Sequence, residues 1–152
     1  MTKEIVKSAV TIVFLCLQSL GVVNAGISSE TVCYASNDAK PVRFEFHTYY
    51  DSNRKWSGGF VRYENAKESI PVVFFSSTIA DDLGGGILES SSKWLEISRE
   101  KISGEYIFMR EGAGTGVSGY VATYRNYAKN KVRNFVLAPA AGFGESGCNW
   151  AN

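Results

Sequence analysis

One histidine, His47, two methionines, three cysteines and three prolines are the whole supply of those residues in a chain of 152. A lone histidine rules out a histidine-rich metal site, and a nucleophile–histidine–carboxylate arrangement would have to be built on His47 alone. Acidic clusters are equally scarce. Asp81-Asp82 is the only adjacent acidic pair, and it falls in a stretch that reads as an ordinary turn. Gly84-Gly85-Gly86 lacks the Lys-Ser/Thr that a phosphate-cradling loop needs after its glycines. No cofactor is expected. No Asn-x-Ser/Thr sequon occurs either.

Charge of one sign is missing too. Sixteen basic residues face 15 acidic ones, and loss of an N-terminal segment carrying Lys3, Glu4 and Lys7 would bring the balance to zero. Nothing in that balance asks for nucleic acid or an anionic membrane. That N-terminal segment reads as a secretory signal. Lys3 and Lys7 precede an apolar run from Ala9 to Val23, which ends on Val23-Asn24-Ala25. The run is shorter than the about 20 residues needed to span a bilayer. Cleavage after Ala25 is therefore expected, leaving residues 26–152 as one domain in a secreted, periplasmic or extracellular setting. Cys16 goes with the signal, since Leu15 precedes it and the apolar run continues past it.

Cys33 and Cys148 then remain, near the two ends of the mature chain. In an oxidising compartment an isolated pair of this kind bonds, and the spacing suits neither a metal site nor a redox motif. A bond would bring the termini together, as in a barrel or sandwich whose first and last strands are neighbours.

What the chain has in quantity is β-formers, aromatics and glycine. From Val42 to Tyr50, Val42, Phe44 and Phe46 alternate with Arg43, Glu45, His47 and Tyr49, the period-two pattern of an antiparallel strand with one wet face. Asp51-Ser52-Asn53 reads as a turn and Trp56–Tyr63 as the second arm. Ile70–Ile79, with Val72, Val73, Phe74 and Phe75 in succession, reads as a strand covered on both faces, with Pro71 at its start. Trp94–Ser98 and Glu105–Met109 read as strands joined around Ser103-Gly104. Gly112–Gly116 reads as a loop, and Val117–Arg125 with Val132–Leu137 as a hairpin around Ala128-Lys129-Asn130. No amphipathic helix is evident. The expectation is an all-β barrel or sandwich of about seven to eight strands. One internal echo stands out: Ser57-Gly58 with Tyr63 and Asn65 matches Ser118-Gly119 with Tyr124 and Asn126 at identical spacing.

Candidate chemistry is thin. His47 is expected on the solvent face of its strand. Glu45, Asp51 and Glu64 share one hairpin and are the carboxylates best placed for a glycoside-cleaving pair. The aromatics offer more. His47, Tyr49, Tyr50, Trp56, Tyr63 and Tyr124 are candidates for exposure, where ring area beside polar groups suits sugars or proteins, or else for cross-strand packing. Arg125, Lys129, Lys131 and Arg133 make a basic hairpin tip with no acid among them, which suits either an anionic partner or a solvated turn.

Ser103-Gly104-Glu105-Tyr106 is one residue short of a Ser-Gly-x-x-Tyr motif, and Tyr124 to Lys129 has the spacing Tyr-x-x-x-x-Lys, as does Tyr50 to Lys55. In these two segments the chain resembles the secreted bacterial inhibitors of C-type lysozyme. The resemblance implies a small β-barrel in which Ser103 and Lys129 enter an enzyme cleft. Ser103, Tyr106, Tyr124, Lys129, Trp56 and Tyr63 are thus the candidate binding residues. The expected function is a secreted non-catalytic binding protein that contacts another protein through its loops, as an inhibitor or immunity-type factor does. A carbohydrate-binding module is the first alternative, and a toxin or effector acting on membranes or cells the second.

Overall fold

The computed structural model describes residues 26–80, 87–113, 116–138, 141 and 147–150. The expected signal segment, the Gly84-Gly85-Gly86 stretch and most of the glycine-rich tail lie outside the described residues. Eight strands follow in chain order: β1 (Ile27–Ala35), β2 (Arg43–Asp51), β3 (Trp56–Tyr63), β4 (Ile70–Ala80), β5 (Ile87–Ser98), β6 (Lys101–Ala113), β7 (Gly116–Asn126) and β8 (Lys131–Leu137). Each pairs antiparallel with the next and β8 returns to β1, closing an up-and-down barrel. The fold is all-β, as expected, and the barrel alternative is the one realised.

Period-two alternation decides which side chains fill the barrel. Val32 and Tyr34 of β1, Phe44 and Phe46 of β2, Val61 of β3, Val72 of β4, Trp94 of β5, Tyr106 and Phe108 of β6, Ala122 of β7 and Phe135 of β8 form one buried cluster. Aromatic rings interlock at its centre. Phe46 stacks on Phe108 with centroids 3.8 Å apart, and Phe44 meets Phe135 edge-on at 4.8 Å.

The turns are set by side chains that cap them. Asp51 Oδ1 accepts from the backbone N–H groups of Asn53 and Arg54, at 2.9 and 3.0 Å, which folds the β2–β3 turn. The β5–β6 junction lies at Arg99-Glu100, both left-handed with φ of 50° and 62°, and not at Ser103-Gly104 as the sequence suggested. Gly104 is a strand residue. A Cβ there would lie 2.6 Å from the Arg125 carbonyl oxygen and 2.8 Å from the Tyr124 ring, so the glycine serves close approach rather than a turn. Likewise β6 and β7 run through most of the stretch read as a loop at Gly112–Gly116.

The barrel closes narrowly. β8 pairs with β1 only through Tyr34↔Leu137 and Ala35↔Val136, against nine pairs between β1 and β2. The Cys33–Cys148 disulfide lies beside this seam, spanning 115 positions of sequence. The Ala138 N–H donates to the Cys33 carbonyl at 2.8 Å, and the Cys148 N–H donates to Glu45 Oε2 at 3.0 Å. The tail thus runs back across the outside of β1 and β2. This is why Glu45, expected on a wet face, is buried: Arg62 pairs with it at 2.7 Å and the tail covers it.

Closing so long a loop in the unfolded chain is worth about 4–5 kcal/mol in the chain-entropy treatment. The Cys33→Ala/Cys148→Ala variant is expected to lose about that much in urea unfolding, and reductant is expected to reproduce the loss in the native chain. A loss under about 1 kcal/mol would show that the two-pair seam holds unaided.

Candidate functional site

Candidate site residues gather in two regions, one at each end of the barrel. The lower end holds the β1–β2, β3–β4, β5–β6 and β7–β8 connections, and the upper end holds the β2–β3 turn.

At the lower end Glu96 is inward-facing and buried, two positions along β5 from the core residue Trp94. Three hydroxyls converge on its carboxylate. Ser103 Oγ donates to Oε1 at 2.6 Å, Tyr124 Oη donates to Oε1 at 3.1 Å, and Tyr106 Oη donates to Oε2 at 3.1 Å. Because the Tyr106 proton points at Glu96, the 2.9 Å contact between Tyr63 Oη and Tyr106 Oη has Tyr63 as the donor. Asn126 Nδ2 in turn donates to Tyr124 Oη at 3.1 Å. Two chains of hydrogen bonds therefore end on one carboxylate. Among the described residues no cation lies within ion-pair distance of Glu96, so hydroxyl donors carry the cost of its burial.

Of the six candidate binding residues, four meet here: Ser103, Tyr106, Tyr124 and Tyr63. Their roles differ from the expectation. Tyr106 is a fully buried core residue, and the Ser103 hydroxyl is committed to Glu96. Tyr63 and Tyr124 line the mouth itself, and Lys129 stands on its rim. The internal echo explains the pair of tyrosines. Its copies lie on β3 and β7, four strands apart in a ring of eight, so equivalent tyrosines reach the same mouth from opposite walls. Glu96 itself escaped sequence reasoning. Its separation of two from Trp94 was the available signal, but nothing in the sequence told which face Trp94 takes.

Burial, foremost, shifts these phenols. The Tyr124 hydroxyl is pushed up to about 12 from its ordinary 10.0 by desolvation, with the Glu96 charge adding to it. Tyr106 and Tyr63 shift in the same direction, again chiefly by desolvation. A raised phenol value means that the folded state favours the neutral form. The stabilisation is complete below pH 10.0 and is lost as pH rises toward about 12. Alkaline titration is expected to show tyrosinate absorbance rising late and together with loss of the β circular-dichroism signal. Glu96→Gln is expected to cost about 1–3 kcal/mol in chemical denaturation, since its amide offers one acceptor atom where three hydroxyls donate.

Trp56, the sixth candidate, stands apart, at the upper end on the outer face. Its indole lies over Gly58, where an added Cβ would come within 2.5 Å of the ring. Gly58 pairs with Tyr49 on one side and Val73 on the other, so Tyr49, Trp56 and Val73 form one outward row across β2, β3 and β4. Below it His47 stacks on Phe60, with centroids 5.0 Å apart and planes at 3°, and also touches Tyr49. His47 is buried, contrary to the expectation of a solvated strand histidine. Its Nδ1 shares a 2.7 Å hydrogen bond with Thr31 Oγ1, and its Nε2 has no partner among the described residues. The row is open to solvent: Tyr49 is 39%, Val73 43% and Trp56 57% exposed, and Phe75, two residues beyond Val73, is 60% exposed. The strand expected to be covered on both faces is therefore largely bare. A bulge between Phe74 and Ser76 breaks the alternation of β4, and only Val72 of the Val-Val-Phe-Phe run is buried.

No protein-family model, no curated protein and no solved structure matches the chain.

Proposed function

We propose that this is a secreted, non-catalytic protein that binds another protein through the outer aromatic row at the upper end of the barrel. The observation that carries this reading is the exposure of Tyr49, Trp56 and Val73 in one outward row across β2, β3 and β4, with Phe75 exposed further along β4. Large exposed rings are costly to leave in water and are the side chains that dominate protein contacts. β4 has the composition of a strand buried on both faces, and a partner would supply the cover that the barrel does not. The Cys33–Cys148 disulfide supports an oxidising compartment, as does the signal-like segment that precedes residue 26.

The non-catalytic part of the reading is supported by what the reactive groups are doing. Ser103 and the two innermost tyrosines are spent on Glu96, and His47 is buried under its neighbours. An inhibitor or immunity-type factor is the narrower form of the proposal. In that form the contact would run through the Trp56 row, because the Ser103 hydroxyl is not free to enter a cleft.

A second reading rests on Trp56 and Tyr49 as ring faces for sugar stacking. The two separate in one comparison. The native chain and a Trp56→Ala/Phe75→Ala variant are used as bait on secreted and cell-envelope fractions, and both are applied to a glycan array. The expected outcome is one protein retained by the native chain and weakened at least about 30-fold by the double substitution. No retained protein, or retention indifferent to both substitutions, overturns the proposal. Glycan binding that disappears with Trp56 replaces it with the second reading.

A further inference from the structure

The lower mouth opens to a cavity of about 390 Å³, lined by Val42, Val132 and Phe135 on its apolar side and by Tyr63, Tyr124 and Asn126 on its polar side. Lys129, Lys131 and Arg133 complete the wall. Mouths of β-barrels are common sites for small ligands, and the mainly polar, cationic lining of this one favours a polar, anionic ligand. This one is at the other end of the barrel from the Trp56 row and does not depend on it.

The unspent hydrogen-bonding groups define what fits. The Tyr124 hydroxyl donates to Glu96 and accepts from Asn126. Asn126 Oδ1 already accepts from the Lys129 N–H at 2.9 Å, which leaves one amide N–H of Asn126 unused. Tyr63 has given its proton to Tyr106 and keeps oxygen lone pairs facing the cavity. Lys129 and Lys131 are engaged in no ion pair among the described residues, and Arg133 has only Asp38, at 3.7 Å. Donors and positive charge dominate, with one acceptor set deeper at Tyr63. Three cations stand against two carboxylates, Asp38 and Glu96, which leaves the mouth one positive charge in excess.

We propose that the lower mouth binds a small hydroxylated monocarboxylate, a uronic acid being the representative chemistry. The carboxylate sits among Lys129, Lys131 and Arg133. A ligand hydroxyl donates to Tyr63 Oη, and the ring lies against the half-buried Val42. Glu96 is a positioning residue. It draws the tyrosine protons inward, so that Tyr63 presents an acceptor to the cavity.

The probe is D-glucuronate, titrated calorimetrically against the full chain, with glucose and glucosamine as the neutral and cationic counterparts and acetate as charge without a ring. Glucuronate is expected to bind at millimolar or better affinity, and the three counterparts at least about tenfold more weakly. Lys129→Gln/Lys131→Gln is expected to weaken glucuronate at least about tenfold. Both lysines are exposed, so the fold does not depend on them. Tyr63→Phe is expected to weaken glucuronate while leaving acetate unchanged, a distinction that general loosening of the mouth would not produce. Amide shifts gathered at Val42, Tyr63 and Tyr124–Arg133 during the titration would place the ligand. The inference is overturned by no glucuronate binding up to about 10 mM, by equal binding of glucose, or by indifference to the lysine substitutions.

Discussion

Closure of the barrel rests on a seam of two residue pairs, Tyr34↔Leu137 and Ala35↔Val136, and on the disulfide that lies beside it. An eight-stranded sheet left open there would present two edges and a wet aromatic interior. With the seam shut, the rings of Tyr34, Phe44, Phe46, Trp94, Phe108 and Phe135 pack on one another from all sides. The bond acts mostly on the unfolded chain, by keeping residues 115 positions apart together. The tail it anchors adds a second effect: the Cys148 N–H donates to Glu45 and turns an outward carboxylate into a buried one. Inside the upper half, Arg110 reaches from β6 to Glu30 on β1 at 2.6 Å and so links two strands that do not pair.

Once the barrel is closed, its lower end has an inward-facing carboxylate to accommodate. Glu96 is held there by hydroxyls rather than by a cation. Each hydroxyl that donates to it is oriented by the bond it makes, so one buried charge sets the proton directions of Ser103, Tyr106, Tyr124 and, through Tyr106, of Tyr63. Such a network is rigid where it is satisfied and costly where it is not. It yields a mouth whose walls have fixed donor and acceptor roles. The basic tip of the β7–β8 hairpin gains significance in this setting. Its lysines are solvated charges seen alone, and a cationic rim once the tyrosines stand beneath them.

The outer surface divides along the same logic. Where the tail or long polar side chains lie across it, outward residues are sealed, as with Glu45 under Cys148 and Glu105 between Lys93, Arg125 and Tyr127. Among the described residues nothing comparable covers β4 at the upper end. Val73 and Phe75 share the outward parity of β4, and the bulge at Phe74–Ser76 leaves Phe75 without a pairing partner on β5.

Much of this was legible before any coordinates. Alternation along Val42–Tyr50, glycine- and asparagine-bearing turns, and the Cys33–Cys148 pair lead to an all-β domain with its first strand tied to its C-terminal stretch, because period-two patterning and loop closure are local or pairwise properties. The Ser-Gly…Tyr echo was legible as a repeat. Its meaning was not, since only the closed ring places β3 opposite β7 and brings Tyr63 and Tyr124 to one mouth. The inward face of Glu96, the burial of His47 and the exposure of Phe75 were likewise out of reach. Each depends on register, on a bulge or on a distant segment lying across the sheet. A one-residue shift in pairing exchanges inside for outside, and the sequence of a single strand does not contain the register of its neighbours.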